Sequence, residues 1–267
     1  MMQISTKLKG TIGFVPTMGY LHRGHLSLVE TAKKNADIVI VSIFVNPTQF
    51  SPNEDLSQYP RDIDSDIKLL SELDVDYIFF PQESEMYPDG CKTWVNVDKI
   101  TQVLCGKSRP THFKGVTTIV AKLMNIVDPD LMYMGEKDFQ QLVVLRQMAK
   151  DLNFKTEIIG CPIIREEDGL AMSSRNKYLS PAGRKNALCL HKALLLAKKR
   201  FRQNITNSSK IITEMADLIE NMEGVIDYIE VVDPDTLEHI TELKKGCRIL
   251  LAVIIENTRL IDNMKME

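Results

Sequence analysis

The apolar positions of the chain follow two alternating patterns. Thr11–Pro16 is a short apolar run, His25–Ala36 carries Leu26, Leu28, Val29 and Ala32 at mostly helical spacing, and Asp37–Asn46 (DIVIVSIFVN) is rich in β-branched residues. Short β-branched runs suit strands, and a 3.6-residue period suits an amphipathic helix. That order predicts a βαβ unit, in which the two strands run parallel. The alternation recurs: a helix over 63–73 precedes DYIFFP (76–81), one over 113–127 precedes DLMYMG (130–135), and one over 137–152 precedes TEIIGCPII (156–164). Strands that are apolar throughout are buried on both faces, as in a doubly wound parallel sheet.

After Ile164 the pattern breaks. REEDGLAMSSRNKYLSP is polar and without period, and the domain boundary is expected there. Ser180-Pro181 reads as an N-cap followed by proline at the first helical position, opening a helix to about Gln203. NITNSS then leads to a helix over 209–222 and strands over 226–232 and 248–255. The expected fold is α/β: a Rossmann-like doubly wound domain over residues 1–164 that holds the ligands, and a smaller α+β lid domain over 165–267.

Composition narrows the chemistry. Of 267 residues, 44% are hydrophobic, enough for a large core. A net charge of −3 and no basic run longer than Lys198-Lys199-Arg200 argue against a nucleic-acid partner. The five cysteines are far apart and never in a C-x-x-C pair, so they read as reduced packing residues of a cytoplasmic protein. No stretch approaches the roughly 20 apolar residues of a membrane span, and MMQISTKLKG lacks the apolar segment of an export signal, so no membrane partner is expected.

Ligands of open α/β sheets collect outside the carboxyl ends of the strands. PTMGYLHRGH (16–25) leaves the first strand there and enters a helix whose free N–H groups and positive dipole end attract phosphate. Gly19 and Gly24 let a nucleotide approach the backbone, while His22 and His25, three apart, can offer phosphate oxygens hydrogen bonds or positive charge. A bare H-x-x-H fits a surface loop equally well, and neither GxGxxG nor GxxxxGK[ST] occurs. In FVNPTQF (44–50) the Asn46-Pro47 step explains a turn, yet the Asn46 and Gln49 amides among apolar neighbours suit a pocket for a small carboxylate-bearing or hydroxylated substrate. GEKDFQQL (135–142) marks another strand end, where Lys137 can reach phosphates and Asp138 and Gln141 share a helical face; a solvated helix start would use the same residues. MSSRN (172–176) adds two hydroxyls and a guanidinium, a phosphate clamp on the linker.

PTMGYLHRGH, FVNPTQF, YPRD (59–62), RPTHFKGV (109–116), GEKDFQQL and DGLAMSSRN, in this order and spacing, resemble the pantoate–β-alanine ligases of the HxGH nucleotidyltransferase superfamily. The resemblance runs with specific motifs from about Thr11 to Ser180 and more loosely to the C-terminus. It implies an ATP-dependent ligase: pantoate carboxylate attacks the α-phosphate of ATP, pyrophosphate leaves, and the amine of β-alanine then attacks the pantoyl adenylate, giving pantothenate and AMP. By motif position, Met18, Gly19, Tyr20, Leu21, His22, Arg23, Gly24 and His25 would border ATP, and Gly135, Glu136, Lys137, Asp138, Ile164, Met172, Ser173, Ser174 and Arg175 would complete its site. His25 would act as proton donor or oxyanion stabiliser, with His22, Lys137 and Arg175 on the phosphates. Gln49 and Gln141 would hold pantoate, Gln49 also lying beside β-alanine, with Asn46, Arg109 and His112 in the pocket wall. Mg2+ would arrive with ATP, and the family implies a homodimer. The resemblance also implies about twenty further residues, an extra strand and helix, before the first strand; only MMQISTKLKG stands there, so packing around that strand is expected to differ. The alternative is another HxGH nucleotidyltransferase, adenylating a different small acid or a phosphate acceptor, which should carry extra basic residues where FVNPTQF offers amides.

Overall fold

The computed structural model describes residues 1–51 and 54–267. Five strands, β1 (Ile12–Thr17), β2 (Ile38–Ile43), β3 (Tyr77–Phe79), β4 (Leu131–Gly135) and β5 (Glu157–Cys161), form a sheet in the order β3-β2-β1-β4-β5. Every neighbouring pair is parallel. Strand order reverses between β1 and β4, and a crevice opens at such a switch point beyond their carboxyl ends.

Alternate residues of the central strands feed two different cores, as the two-residue side-chain period requires. Phe14, Ile40, Met132 and Met134 pack with helices α3 (His112–Val127) and α4 (Phe139–Asp151) on one face. Val15, Val39, Val41 and Tyr133 pack on the other, with α1 (Arg23–Asn35) and Leu70 of α2 (Ile63–Ser71). The apolar runs are therefore continuous because both faces are covered. Ahead of β1, Met2–Ser5 makes one helical turn whose Ser5 hydroxyl donates to the Val127 carbonyl, while Met1 and Leu8 pack on the α3 side, so residues 1–8 close the end of α3.

The C-terminal part carries α5 (Cys189–Arg202) and α6 (Ser208–Glu220) on an antiparallel sheet of β6 (Val225–Val232), β7 (Arg248–Ile255) and β8 (Thr258–Lys265). The helix expected from Ser180 to Gln203 is two: Pro181–Asn186, capped by Ser180, and α5, separated where Ala187 and Leu188 adopt tight helical dihedrals with ψ of −21° and −14°. Both residues favour helix, so local pattern does not register the break. Strand β8 was not expected, because RLIDNMK puts Asp262 and Asn263 in mid-strand, yet both are 2% exposed and paired. Val232, Leu237 and Leu250 of this part join the buried cluster of Phe14 and α3, while α5, α6 and the other side of the small sheet enclose a core of their own.

Candidate active site

The segment between β1 and α1 turns twice through left-handed backbone, at Gly19 (φ 80°) and Tyr20 (φ 52°). The second is costly for a residue with a side chain. It is held by Asp66 of α2, 2% exposed, whose carboxylate accepts the N–H groups of Tyr20 at 2.8 Å and Leu21 at 2.7 Å. Asp66 was not among the residues singled out from sequence. Its signal was an acid between Ile63 and Leu70 on the apolar face of a helix.

His22 is the N-cap of α1. Its Nδ1 accepts the N–H of Gly24 at 3.1 Å, and its own N–H donates to Nδ1 of His25 at 3.3 Å, a capping box made of two imidazoles. A Cβ on Gly24 would lie 2.9 Å from the His22 ring, so glycine is what lets that ring fold back over the helix end. The rings sit 4.1 Å apart. Burial, with the neighbouring Lys137 charge, pushes His22 down to about 4; burial, with His22 and Lys137, pushes His25 down to about 3. Both are neutral near pH 7. With each Nδ1 accepting, each Nε2 carries the proton.

A cleft of about 250 Å³ lies over the switch point. Met18, His22, Gly24 and His25 line it from the first loop, Gly135, Lys137 and Asp138 from the end of β4, and Ile164 with Met172–Arg175 from the linker. The linker reaches it because residues 165–171 double back, Arg165 bridging to Ala171 and Met172 N–H donating to the Ile164 carbonyl. Lys137 and Asp138 lie in a 3-10 turn, Glu136–Asp138, ahead of α4, rather than inside a helix that starts at Lys137. Five residues of the expected nucleotide set stand outside the lining. Gly19, Tyr20 and Leu21 shape the loop; Arg23, more than half exposed, pairs with Glu30; Glu136 pairs with Arg248 at 2.9 Å.

The other end of the cleft is built from amides. Asn46 is fully occupied, its Oδ1 accepting from Thr48 and Tyr87 and its Nδ2 donating to the Gly115 carbonyl and Gln49 Oε1. It orients Gln49, whose Nε2 meets, among the described residues, only the Met18 sulfur at 2.8 Å. Thioether is a weak acceptor, so that N–H is available to a ligand oxygen. His112, pushed down to about 4 by burial and Arg109, faces the Gln49 carbonyl through Nδ1 at 2.9 Å, and Arg109 Nη2 donates to the same oxygen at 3.2 Å. Of the adjacent glutamines, Gln140 spends its amide on Cys105, Ile100 and Val103, whereas Gln141 lines the cleft.

Two cations of the cleft are neutralised by successive carboxylates of the loop after β2. Arg109 is paired with Glu54 through Nε at 2.6 Å, and Arg175 makes a fork with Asp55 at 2.9 and 3.0 Å. Local sequence carries no sign of these pairs, since the partners lie 55 and 120 residues apart.

A parallel sheet with a histidine-capped helix at its switch point, flanked by a lysine and an arginine and ending in an amide pocket, defines a nucleotide-dependent enzyme of the nucleotidyltransferase kind. The pantoate-beta-alanine ligase family description matches residues 1–265. The pantothenate synthetase of Acetivibrio thermocellus is 57% identical over 96% of this chain and 92% of its own, and that of Caldicellulosiruptor saccharolyticus 56% identical over 100% and 96%. The crystal structure of pantothenate synthetase from Thermus thermophilus superposes with a TM-score of 0.95 at 45% identity, covering 98% of this chain and 96% of that one. The pantoate-beta-alanine ligase of Francisella tularensis, crystallised with beta-gamma ATP and beta-alanine, superposes with a TM-score of 0.82 at 40% identity, covering 98% and 93%. The chain belongs to the pantoate–β-alanine ligase family.

Proposed function

We propose that this enzyme condenses (R)-pantoate with β-alanine at the expense of ATP, through a pantoyl adenylate, in the cleft over the β1/β4 switch point. The observation that carries the reading is that one cleft has phosphate-binding chemistry at one end and an available amide at the other. A carboxylate must be activated before an amine can displace its oxygen, and phosphoryl chemistry is chiefly a matter of hydrogen bonds and positive charge placed around the phosphates. The triphosphate would lie along the N-terminus of α1, taking hydrogen bonds from the neutral Nε2–H groups of His22 and His25. Lys137 and Arg175 would supply the charge. Pantoate would take the Gln49 and Gln141 amides, its carboxylate directed at the α-phosphate, and β-alanine would enter beside Gln49.

Magnesium would come with the nucleotide. Among the described residues no group of three or more His, Cys, Asp and Glu side chains could hold a metal. The cleft-lining Asp138, half-exposed beside Lys137, fits the one or two carboxylates that a phosphate-bound Mg2+ usually takes, and the ion would neutralise charge on the departing pyrophosphate. Adenylation of a phosphorylated acceptor is disfavoured, because Arg109 at the amide end is already paired with Glu54. No helix among the described residues is long and apolar enough to cross a membrane. The five cysteines are free thiols, as suits a reducing compartment such as the cytoplasm. The family supports a homodimer, to be checked by sedimentation at twice the 30.3 kDa chain mass.

The deciding experiment incubates the protein with ATP, Mg2+ and pantoate, with and without β-alanine. Pyrophosphate and an enzyme-held pantoyl adenylate are expected without the amine, and AMP with pantothenate only when it is added. AMP release that ignores β-alanine refutes the reading.

A further inference from the structure

The Glu136–Asp138 turn has no cap from its own side chains, although it carries Lys137. It is held from the other domain. Asn263 of β8 donates from one Nδ2 to the carbonyl of Glu136 at 2.8 Å and to that of Lys137 at 3.0 Å. Those carbonyls belong to the two peptide planes on either side of the Lys137 Cα, so a single amide fixes both backbone dihedrals of that residue. The amide is itself fixed, since Arg248 of β7 donates from Nη1 to Asn263 Oδ1 at 2.7 Å. Arg248 pairs across the ladder with Lys265, which makes Asn263 its diagonal neighbour on the same sheet face. The other terminal nitrogen of Arg248, Nη2, donates to Glu136 at 2.9 Å, and the guanidinium lies 3.8 Å from the Phe139 ring centroid. Arg248 is 6% and Asn263 2% exposed, so neither offers its polar groups to solvent.

We propose that Asn263, oriented by Arg248, is a positioning residue for adenylate formation: it anchors the main chain of Lys137 to the C-terminal sheet so that the ammonium meets the triphosphate. The proposal rests on the reading that Lys137 acts on the phosphates. An unanchored lysine would still be present but would sample other positions, and a displacement of about 1 Å from productive geometry can cost roughly 10²-fold in rate. Pantoate, held at the other end of the cleft, would be bound almost as before.

The test is a mutant cycle read by pantoate-dependent exchange of pyrophosphate into ATP. Asn263→Ala is expected to lower kcat by roughly 10- to 100-fold while the pantoate KM stays within about threefold. In the Lys137→Ala background, Asn263→Ala is expected to add less than about a twofold further loss, because the group it positions is gone. If Asn263→Ala does not fold, Arg248→Lys takes its place in the cycle; it keeps a cation beside Glu136 and Phe139 but breaks the bond that orients Asn263. Losses that multiply in the double variant, or a single variant with near-normal kcat, overturn the proposal while Lys137→Ala remains slow. Near-normal exchange in Lys137→Ala overturns the reading of Lys137 itself and the proposal with it.

Discussion

His22 and His25 each spend Nδ1 on a backbone N–H and are neutral near pH 7, so what they can present to a phosphate is a directed hydrogen bond rather than a charge. Removing such a donor is worth roughly 10²-fold in turnover, and His25→Ala should show that loss with the fold intact, measured by circular dichroism and steady-state rate. The same burial makes stability depend on pH. Unfolded histidines take up protons from about pH 6.5 downward, whereas folded His22 and His112 wait until about 4 and His25 until about 3. The stabilisation is therefore complete above pH 6.5 and drains away as pH falls toward 4, by up to about 1.4 kcal/mol per pH unit for each ring. Urea melts between pH 7 and 4.5 should fall less steeply for His25→Gln than for the parent; parallel lines would contradict the assignment. Gln49 lies at the pocket's other end, and if it holds a substrate oxygen there, leaving that partner unpaired costs about 1–3 kcal/mol. Gln49→Ala should raise the pantoate KM by roughly 5- to 150-fold and the ATP KM far less. An equal rise for both substrates would move Gln49 out of the pantoate pocket.

The loop that follows β2 and the linker that follows β5 meet through Asp55 and Arg175. In this arrangement the cation proposed for the phosphates already has a carboxylate fork, and a triphosphate must compete with it. The pair is partly exposed, 29% for Arg175 and 23% for Asp55, so the competition is modest, about 0.5–1 kcal/mol. Asp55→Asn keeps the acceptor shape and removes the charge. ATP should then bind roughly two- to fivefold more tightly by calorimetry. Weaker binding would mean that Asp55 orients Arg175 toward the phosphates instead of withholding it.

Across the whole molecule, the C-terminal part is less a free lid than a brace. Leu250 of β7 is 3% exposed inside the cluster that contains Phe14 and α3, and Asp262 of β8 takes Arg165 of the linker in a fork at 2.6 and 2.8 Å. Leu250→Ala should cost about 2–5 kcal/mol, the usual range for a buried leucine. Because Val232, Leu237 and Leu250 bury the small sheet against the cluster of Phe14 and α3, calorimetry should still show one transition at lower temperature. Two separated transitions would show that the domains unfold independently.

Local pattern alone was enough for much of this protein. Alternating apolar strands and amphipathic helices determine the parallel sheet, because burial on both faces demands continuous apolar runs, and PTMGYLHRGH, FVNPTQF, GEKDFQQL and MSSRN stand at the strand ends and linker that line the cleft. What escaped is what depends on partners distant in sequence. Asp66 holds the loop at Tyr20, Glu54 and Asp55 neutralise two arginines, and Asn263 pins the Lys137 turn across 126 residues of chain. In each case a polar side chain in an unremarkable local pattern acquires its role only when folding removes water from it and leaves one particular backbone group or opposite charge to replace that water.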